Sequence, residues 1–107
     1  MSLIKVTSKN FDKEILEHSK SRPVLVDFYA VWCPPCKVMK PIIEDLAQTA
    51  TEFSVGYCDV EEDFNDEISE KYGVMGIPTF IVFKNGQEVA RTSGATSKEK
   101  LLGLISS

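Results

Sequence analysis

The chain has 107 residues, of which 43% are hydrophobic and 26% are charged, and its formal net charge is −4. This length and composition predict one globular domain, residues 1–107, whose core needs no metal or disulfide for stability. The negative charge argues against nucleic acid or an anionic membrane as the main partner.

The N-terminal part of the chain predicts a strand, a helix and a second strand. Residues 3–6 form the first strand, and Thr7 or Ser8 is placed to cap the helix that follows. Four residues share one face of this helix, namely Phe11, Ile15, Leu16 and Ser19. Residues 24–30, VLVDFYA, are an almost continuous apolar run, which predicts a strand buried on both faces.

The middle of the chain continues this alternation. Residues 38–50 predict a helix, within which Pro41 removes a backbone donor and should introduce a kink. Residues 53–60 predict a third strand. Residues 65–72 predict a short helix capped by Asn65.

The C-terminal part predicts a hairpin and a last helix. Residues 79–84 and 88–91 are strand-like and flank Asn85-Gly86, a strong signal for a tight turn between antiparallel strands. Thr96 and Glu99 have the spacing of a capping box at the start of the last helix. The residues expected on the inner face of that helix are Leu101, Leu102, Leu104 and Ile105.

The predicted element order is β-α-β-α-β-α-β-β-α. The βαβ units imply parallel strands, and the hairpin adds an antiparallel pair. The fold class is therefore α/β, with a central mixed sheet of about five strands flanked by helices on both faces.

Two cysteines lie between the second strand and the helix that follows it, in the stretch WCPPCK. Free N–H groups and the helix dipole at a helix start stabilise an anion, and the thiolate is the reactive form of cysteine. The placement of Cys33 and Cys36 therefore favours thiol–disulfide exchange.

Zinc binding and a purely structural disulfide are weaker interpretations of the cysteine pair. A tetrahedral zinc site needs about four ligands, and the only other cysteine and histidine are Cys58 and His18, neither at a suitable spacing. A structural disulfide between Cys33 and Cys36 would close too small a loop to remove much chain entropy. We therefore predict no metal site.

Asp27 is the most unusual residue of the predicted second strand. An ionisable carboxyl in the middle of VLVDFYA serves no packing purpose that leucine or valine would not serve better. Charged side chains are seldom fully buried without a partner. Asp27 is therefore predicted to be functional.

The element order, together with VDFYAVWCPPCK, GIPTF, FKNG and SGATSKEKL, resembles the thioredoxin family over essentially the whole chain. The resemblance implies the thioredoxin fold and a thiol–disulfide oxidoreductase that reduces protein disulfides. It further implies a nucleophilic role for Cys33, at the exposed edge of the helix start. Cys36 would be the resolving cysteine, one turn inside and more buried, and Asp27 would accept its proton directly or through water.

The resemblance also implies a substrate-binding surface around the cysteines. Trp32 would shape it, and Pro78 would be a cis proline facing the cysteines, so that the backbone of the preceding residue can pair with an extended substrate. The full implied set is Trp32, Pro34, Pro35, Gly76, Ile77, Pro78 and Gly94. Simple surface packing of Trp32, an ordinary trans Pro78 and an ordinary turn glycine at Gly94 remain alternatives.

Three positions depart from the common pattern of the family. Pro34 stands where glycine is usual, which predicts a stiffer turn with one fewer N–H donor. Tyr57 stands where many members carry a lysine near the buried acid, so desolvation should raise the pKa of Asp27 with less opposition. Tyr29 likewise replaces a common tryptophan.

The remaining polar and sulfur-containing groups are expected to be structural or solvated. Cys58 is interpreted as a small core residue, with regulatory oxidation as the alternative. His18 and the acidic stretch Glu61-Glu62-Asp63 are expected to be solvated surface.

The implied setting is a cytoplasmic monomer. The sequence start lacks the apolar core of a signal peptide, no segment is long enough to span a membrane, and three cysteines fit a reducing compartment. By resemblance, the chain binds no cofactor, and NADPH supplies electrons through a flavoprotein, thioredoxin reductase. A dithiol oxidase or isomerase, or a binding module with incidental cysteines, are the rival functions.

Overall fold

A five-stranded mixed sheet lies at the centre of the computed structural model, which describes residues 3–62 and 64–107. The strand order is β1-β3-β2-β4-β5. β3 runs parallel to β1 and β2, whereas β4 runs antiparallel to β2 and β5. The strands are Leu3–Lys5 (β1), Val24–Tyr29 (β2), Ser54–Asp59 (β3), Thr79–Lys84 (β4) and Gln87–Ser93 (β5).

Helices cover both faces of the sheet, as predicted. The first helical segment is irregular, because a π-helical stretch is followed directly by a short 3-10 helix. α1 begins at Pro34, inside the WCPPCK stretch and four residues before the predicted start, and is continuous through Pro41. The helical bounds are Asp12–Glu17 (π), His18–Lys20 (3-10), Pro34–Thr49 (α1), Asp66–Lys71 (α2) and Lys98–Ser106 (α3).

Alternation along β2 divides the core into two layers. Val24 and Val26 face the layer formed with the first helical segment and α2, whereas Leu25 faces the layer formed with α1 and α3. Asp27 follows Leu25 at the strand period of two, so its side chain lies on the α1 side. Burial on both faces explains why this strand is apolar almost throughout.

The Asn85-Gly86 turn joins β4 to β5, as predicted. Both residues have positive φ, 55° and 82°, which is the backbone conformation that this dipeptide adopts readily. The turn is fixed to the first helical segment, because Asn85 N–H donates to Ser19 O and Gly86 N–H donates to Ser19 Oγ. These contacts explain the burial of Ser19.

Three predicted helix caps are wrong. Phe11, not Thr7 or Ser8, occupies the cap position of the first helical segment, and no side chain caps it. Asn65 occupies the cap position of α2, but its Oδ1 accepts the N–H of Ser8 at 2.9 Å and leaves the α2 start uncapped by a side chain. Ser97, not Thr96, caps α3 by accepting the N–H of Lys100 at 3.1 Å. At α2, a tertiary contact with Ser8 holds the Asn65 side chain away from the helix start. At α3, the neighbouring Ser97 takes the cap position that was predicted for Thr96.

Two further expectations need correction. Leu102 is 38% exposed on the outer side of α3, while Leu101 and Ile105 are buried. His18 is half-buried and its Nε2 lies 2.9 Å from the Oγ of buried Ser54, so it is not simply solvated. Glu62 is paired with Lys5 at the surface; Asp63 lies outside the described residues.

Candidate active site

Cys33 and Cys36 form a disulfide at the start of α1, where the sequence predicted a redox pair. Cys33 is the N-cap residue with extended backbone angles, and its Sγ accepts the backbone N–H of Cys36 at 3.3 Å. The cap position places the Cys33 sulfur at the positive end of the helix dipole. This environment stabilises a thiolate on Cys33 in the reduced protein.

Pro34 and Pro35 occupy the first two positions of α1. Neither has a backbone N–H, so Cys36 supplies the first amide donor of the helix. Proline is well tolerated there, since those N–H groups have no partner within a helix. The Cys33 sulfur thus depends on a single first-turn donor.

The exposure expected for Cys33 is not found. Cys33 is 2% exposed and Cys36 is 5% exposed, so the two are equally buried in the disulfide form. Tyr29, Val60 and Ile77 pack against the cysteine cluster, and this contact accounts for the burial. The difference between the two sulfurs is in hydrogen bonding, because only Cys33 Sγ accepts the helix amide.

The Ile77-Pro78 peptide bond is cis, as predicted, and Ile77 O lies 3.9 Å from Cys33 Sγ. Gly94 donates its N–H to Pro78 O at 2.8 Å and has a φ of 88°, so the turn itself favours glycine there. Among the described residues, apart from its chain neighbours, no atom lies within 4 Å of where a side chain at position 76 would begin, so packing alone does not require glycine there.

An apolar surface lies beside the disulfide. Trp32 is 58% exposed and lines a shallow cavity of about 310 Å³ with Val60 and Ile77. Met75, which sequence reasoning missed, is 97% exposed at the edge of this cavity. Met75 directly precedes GIPTF, and this position could have indicated that it belongs to the predicted substrate-binding surface. The arrangement offers contact area to a partner, while the docking roles of Trp32, Gly76, Ile77 and Gly94 stay predictions.

Asp27 is buried on the α1 side of the sheet. It is 6% exposed, and its Oδ1 has no hydrogen-bond partner among the described residues. Burial raises the pKa of Asp27 from 3.8 to about 7. The predicted direction is confirmed: Tyr57 is directly opposite Asp27 on β3, and it brings no positive charge.

A cavity of about 590 Å³ connects Asp27 with the second cysteine. Asp27 and Cys36 both line it, and α1 forms one wall while β1, β2 and β3 form the other. The cavity is partly open to solvent, and Asp27 and Cys36 share it. Its lining residues are Leu3, Asp27, Tyr29, Ala30, Val31, Cys36, Lys37, Lys40, Ile43, Glu44 and Tyr57.

Cys58 takes no part in this site. It is a free, fully buried thiol in the core layer on the opposite face of the sheet, and burial raises its pKa to about 12. The prediction of a small core residue is therefore confirmed. Within residues 3–62 and 64–107, we find no group of potential metal ligands and no helix suited to cross a membrane.

Comparison with known proteins agrees with the geometry. The thioredoxin family model matches residues 2–107. Thioredoxin of Mycobacterium tuberculosis H37Rv is 45% identical over 104 residues, 96% of this chain and 86% of the relative. Thioredoxin of Chlamydia pneumoniae is 44% identical over 100 residues, 94% of this chain and 92% of the relative.

One relative is a fused protein. The bifunctional thioredoxin reductase/thioredoxin of Mycobacterium leprae is 42% identical over 100 residues, which is 92% of this chain and 21% of the relative. The match therefore covers only a small part of that protein.

A disulfide-forming cysteine pair at the start of a helix, on a five-stranded α/β sheet, defines a thiol–disulfide oxidoreductase. The chain belongs to the thioredoxin family.

Proposed function

We propose that the chain reduces disulfides of protein substrates through a Cys33/Cys36 cycle. The observation that carries this proposal is the Cys33 sulfur at the N-cap of α1, bonded to Cys36 and accepting its amide. The Cys33 thiolate attacks one substrate sulfur, which forms a mixed disulfide and releases the other substrate sulfur as a thiolate. That thiolate then takes up a proton.

Cys36 completes the cycle. Its thiol loses a proton, and its sulfur attacks Cys33 Sγ, which forms the intramolecular disulfide, breaks the mixed disulfide and releases the second substrate sulfur as a thiolate. That thiolate then takes up a proton. Asp27 is the proposed acceptor of the proton that Cys36 loses, since it shares a cavity with Cys36 and its pKa is about 7. A group with a pKa near the working pH is suited to this transfer. Two electrons pass from the dithiol to the substrate disulfide.

The reducing equivalents are proposed to come from NADPH through a flavoprotein, thioredoxin reductase, and the chain itself binds no cofactor. The fused Mycobacterium leprae relative supports a reductase partner, because its name joins the two activities. The proposed setting is a single domain acting as a cytoplasmic monomer, with neither nucleic acid nor a membrane as partner. The formal net charge of −4 agrees with this choice of partners.

Substrates are proposed to dock on the apolar surface beside the disulfide. Trp32 and Ile77 would supply contact area, and the Ile77 backbone would pair with an extended substrate segment. Gly76 and Gly94 would allow close approach, while Pro34 and Pro35 would hold the active-site turn in shape.

Insulin reduction tests this function. The reduced wild-type chain should cleave insulin disulfides and end with a Cys33–Cys36 disulfide and an unoxidised Cys58, as mapped by alkylation and mass spectrometry. The matched variant Cys33→Ser/Cys36→Ser should not accelerate the reaction. Equal rates for the two proteins would assign the chain to the class of binding modules.

Pro34→Gly tests whether the unusual turn sets the redox potential. The change restores an N–H at the first position of α1, which favours the Cys33 thiolate and hence the reduced form. The added flexibility of glycine opposes this effect. A tenfold change in the equilibrium constant equals about 30 mV, and we expect a shift of at least about 10 mV.

Equilibration of both proteins with glutathione at one pH measures this shift. Pro35→Ala serves as a comparison, because it restores an N–H at the second position of α1, where an amide can also donate to the N-cap sulfur. Identical potentials for wild type and Pro34→Gly would contradict a role for Pro34. A wild-type potential above that of the glutathione pool would favour a dithiol oxidase over a reductase.

A further inference from the structure

Met75 projects from the loop between α2 and β4, whose backbone is held in place on both sides of it. Before Met75, the N–H of Val74 donates to Ser69 O at 2.8 Å. After it, the carbonyl of Gly76 accepts the hydroxyl of Thr79. Met75 itself is 97% exposed, so its side chain has little contact with the rest of the chain. A fixed backbone thus presents a flexible apolar side chain to solvent.

The Met75 side chain belongs to the apolar surface beside the disulfide. It lines the shallow cavity together with Trp32 and Ile77, and Ile77 O lies 3.9 Å from Cys33 Sγ. A protein substrate docked over this cavity would contact the Met75 thioether as well as the Trp32 ring. Methionine suits such a role, because its unbranched side chain adapts to partners of different shape.

Exposure also opens the Met75 sulfur to oxidation. Hydrogen peroxide transfers one oxygen atom to a thioether, so the sulfur loses two electrons and becomes a sulfoxide while the peroxide is reduced to water. The sulfoxide is polar, and it disrupts interfaces built on methionine. Met39 is protected, since it is fully buried and its Sδ accepts the N–H of Thr96 at 3.4 Å. Among residues 3–62 and 64–107, Met75 is therefore the methionine accessible to peroxide.

We propose that Met75 is a modification site, at which oxidation by peroxide weakens the docking of protein substrates. The sulfoxide replaces an apolar contact by a polar group that must lose its water when a substrate binds. The cysteine pair keeps its own chemistry, because Met75 takes no part in it. Methionine sulfoxide reductases reverse the change. This inference rests on the proposed function for the docking of substrates, although the oxidation itself is a property of the exposed side chain.

Peroxide treatment of the disulfide form tests the site, since Cys33 and Cys36 are then bonded to each other and buried. Peptide mass spectrometry should find one added oxygen atom at Met75 and none at Met39. After reduction with dithiothreitol and desalting, the second-order rate constant for insulin reduction should fall roughly threefold to tenfold, as expected when part of one apolar contact is lost. The rate constant for dithiobisnitrobenzoate, a small disulfide that needs little docking surface, should not change.

Met75→Leu is the matched control, because leucine keeps an apolar side chain that peroxide does not oxidise. The variant retains Met39 and also Met1, which lies outside the described residues. Any loss caused by oxidation elsewhere would therefore persist in it, and we expect treated and untreated Met75→Leu to reduce insulin at equal rates. Incubation of the treated wild type with methionine sulfoxide reductases for both sulfoxide epimers should restore its rate.

Three results would overturn the proposal: resistance of Met75 to peroxide, an unchanged insulin rate in the protein that carries the sulfoxide, or equal losses in wild type and Met75→Leu. An equal loss toward insulin and the small disulfide would also overturn it, because the effect would then lie in the cysteines. Failure of the untreated chain to reduce insulin would instead contradict the proposed function and with it the docking role of Met75, so the two failures are distinguishable.

Discussion

Asp27→Asn should raise the free energy of unfolding by roughly 1–3 kcal/mol at pH 8. The carboxylate is buried with an unpartnered oxygen, and the amide avoids most of the cost of burying its charge. Turnover should fall in the same variant, because Cys36 loses its proposed proton acceptor. A substitution that raises stability and lowers activity is typical of a residue that is needed for function and destabilises the folded state.

The gain should depend on pH in a defined direction. The pKa of Asp27 is about 7 in the folded chain, against an ordinary value of 3.8. Between these values the folded state holds a proton that the unfolded state has released, so wild-type stability from this group falls as pH rises. The advantage of Asp27→Asn should therefore be small near pH 4, grow toward pH 7 and level off above it.

Denaturant unfolding of the oxidised proteins across this pH range measures the effect. Asp12→Asn is a suitable control, because Asp12 is an exposed carboxyl and its substitution should show no comparable increase. An Asp27→Asn variant that is less stable at pH 8 and fully active would mean that Asp27 is structural.

Much of the fold could be predicted because several local signals agree. The apolar run of β2 and the Asn85-Gly86 turn each determine local structure without help from distant residues. The cysteine pair at the start of α1 was likewise recognisable, since a strand pattern precedes it and a helix pattern follows it. The buried carboxyl of Asp27 was evident from its apolar neighbours alone.

The features that were not predicted depend on contacts between distant segments. Asn65 binds the Ser8 amide across 57 residues, so its local cap signal was misleading. The burial of Cys33 results from packing of Ile77 and Val60, which no spacing around the cysteines encodes.

Trapping of a mixed disulfide with insulin tests the central claim most directly, namely that Cys33 attacks and Cys36 resolves. The Cys33 sulfur accepts the first amide of α1, which favours its thiolate over that of Cys36. Reduced Cys36→Ser should therefore attack insulin and remain covalently bound, because no second thiol is in place to release it. Cys33→Ser should trap little.

Both variants should also carry Cys58→Ser, so that each protein has a single cysteine. Intact mass measured without reductant then shows whether that cysteine has formed a mixed disulfide with insulin. The structure predicts no effect of that added change on trapping, since Cys58 is buried on the other face of the sheet. For Cys36→Ser we expect a dominant mixed disulfide with insulin, which added reductant should cleave. Equal trapping by the two variants, or stronger trapping by Cys33→Ser, would contradict the assigned roles.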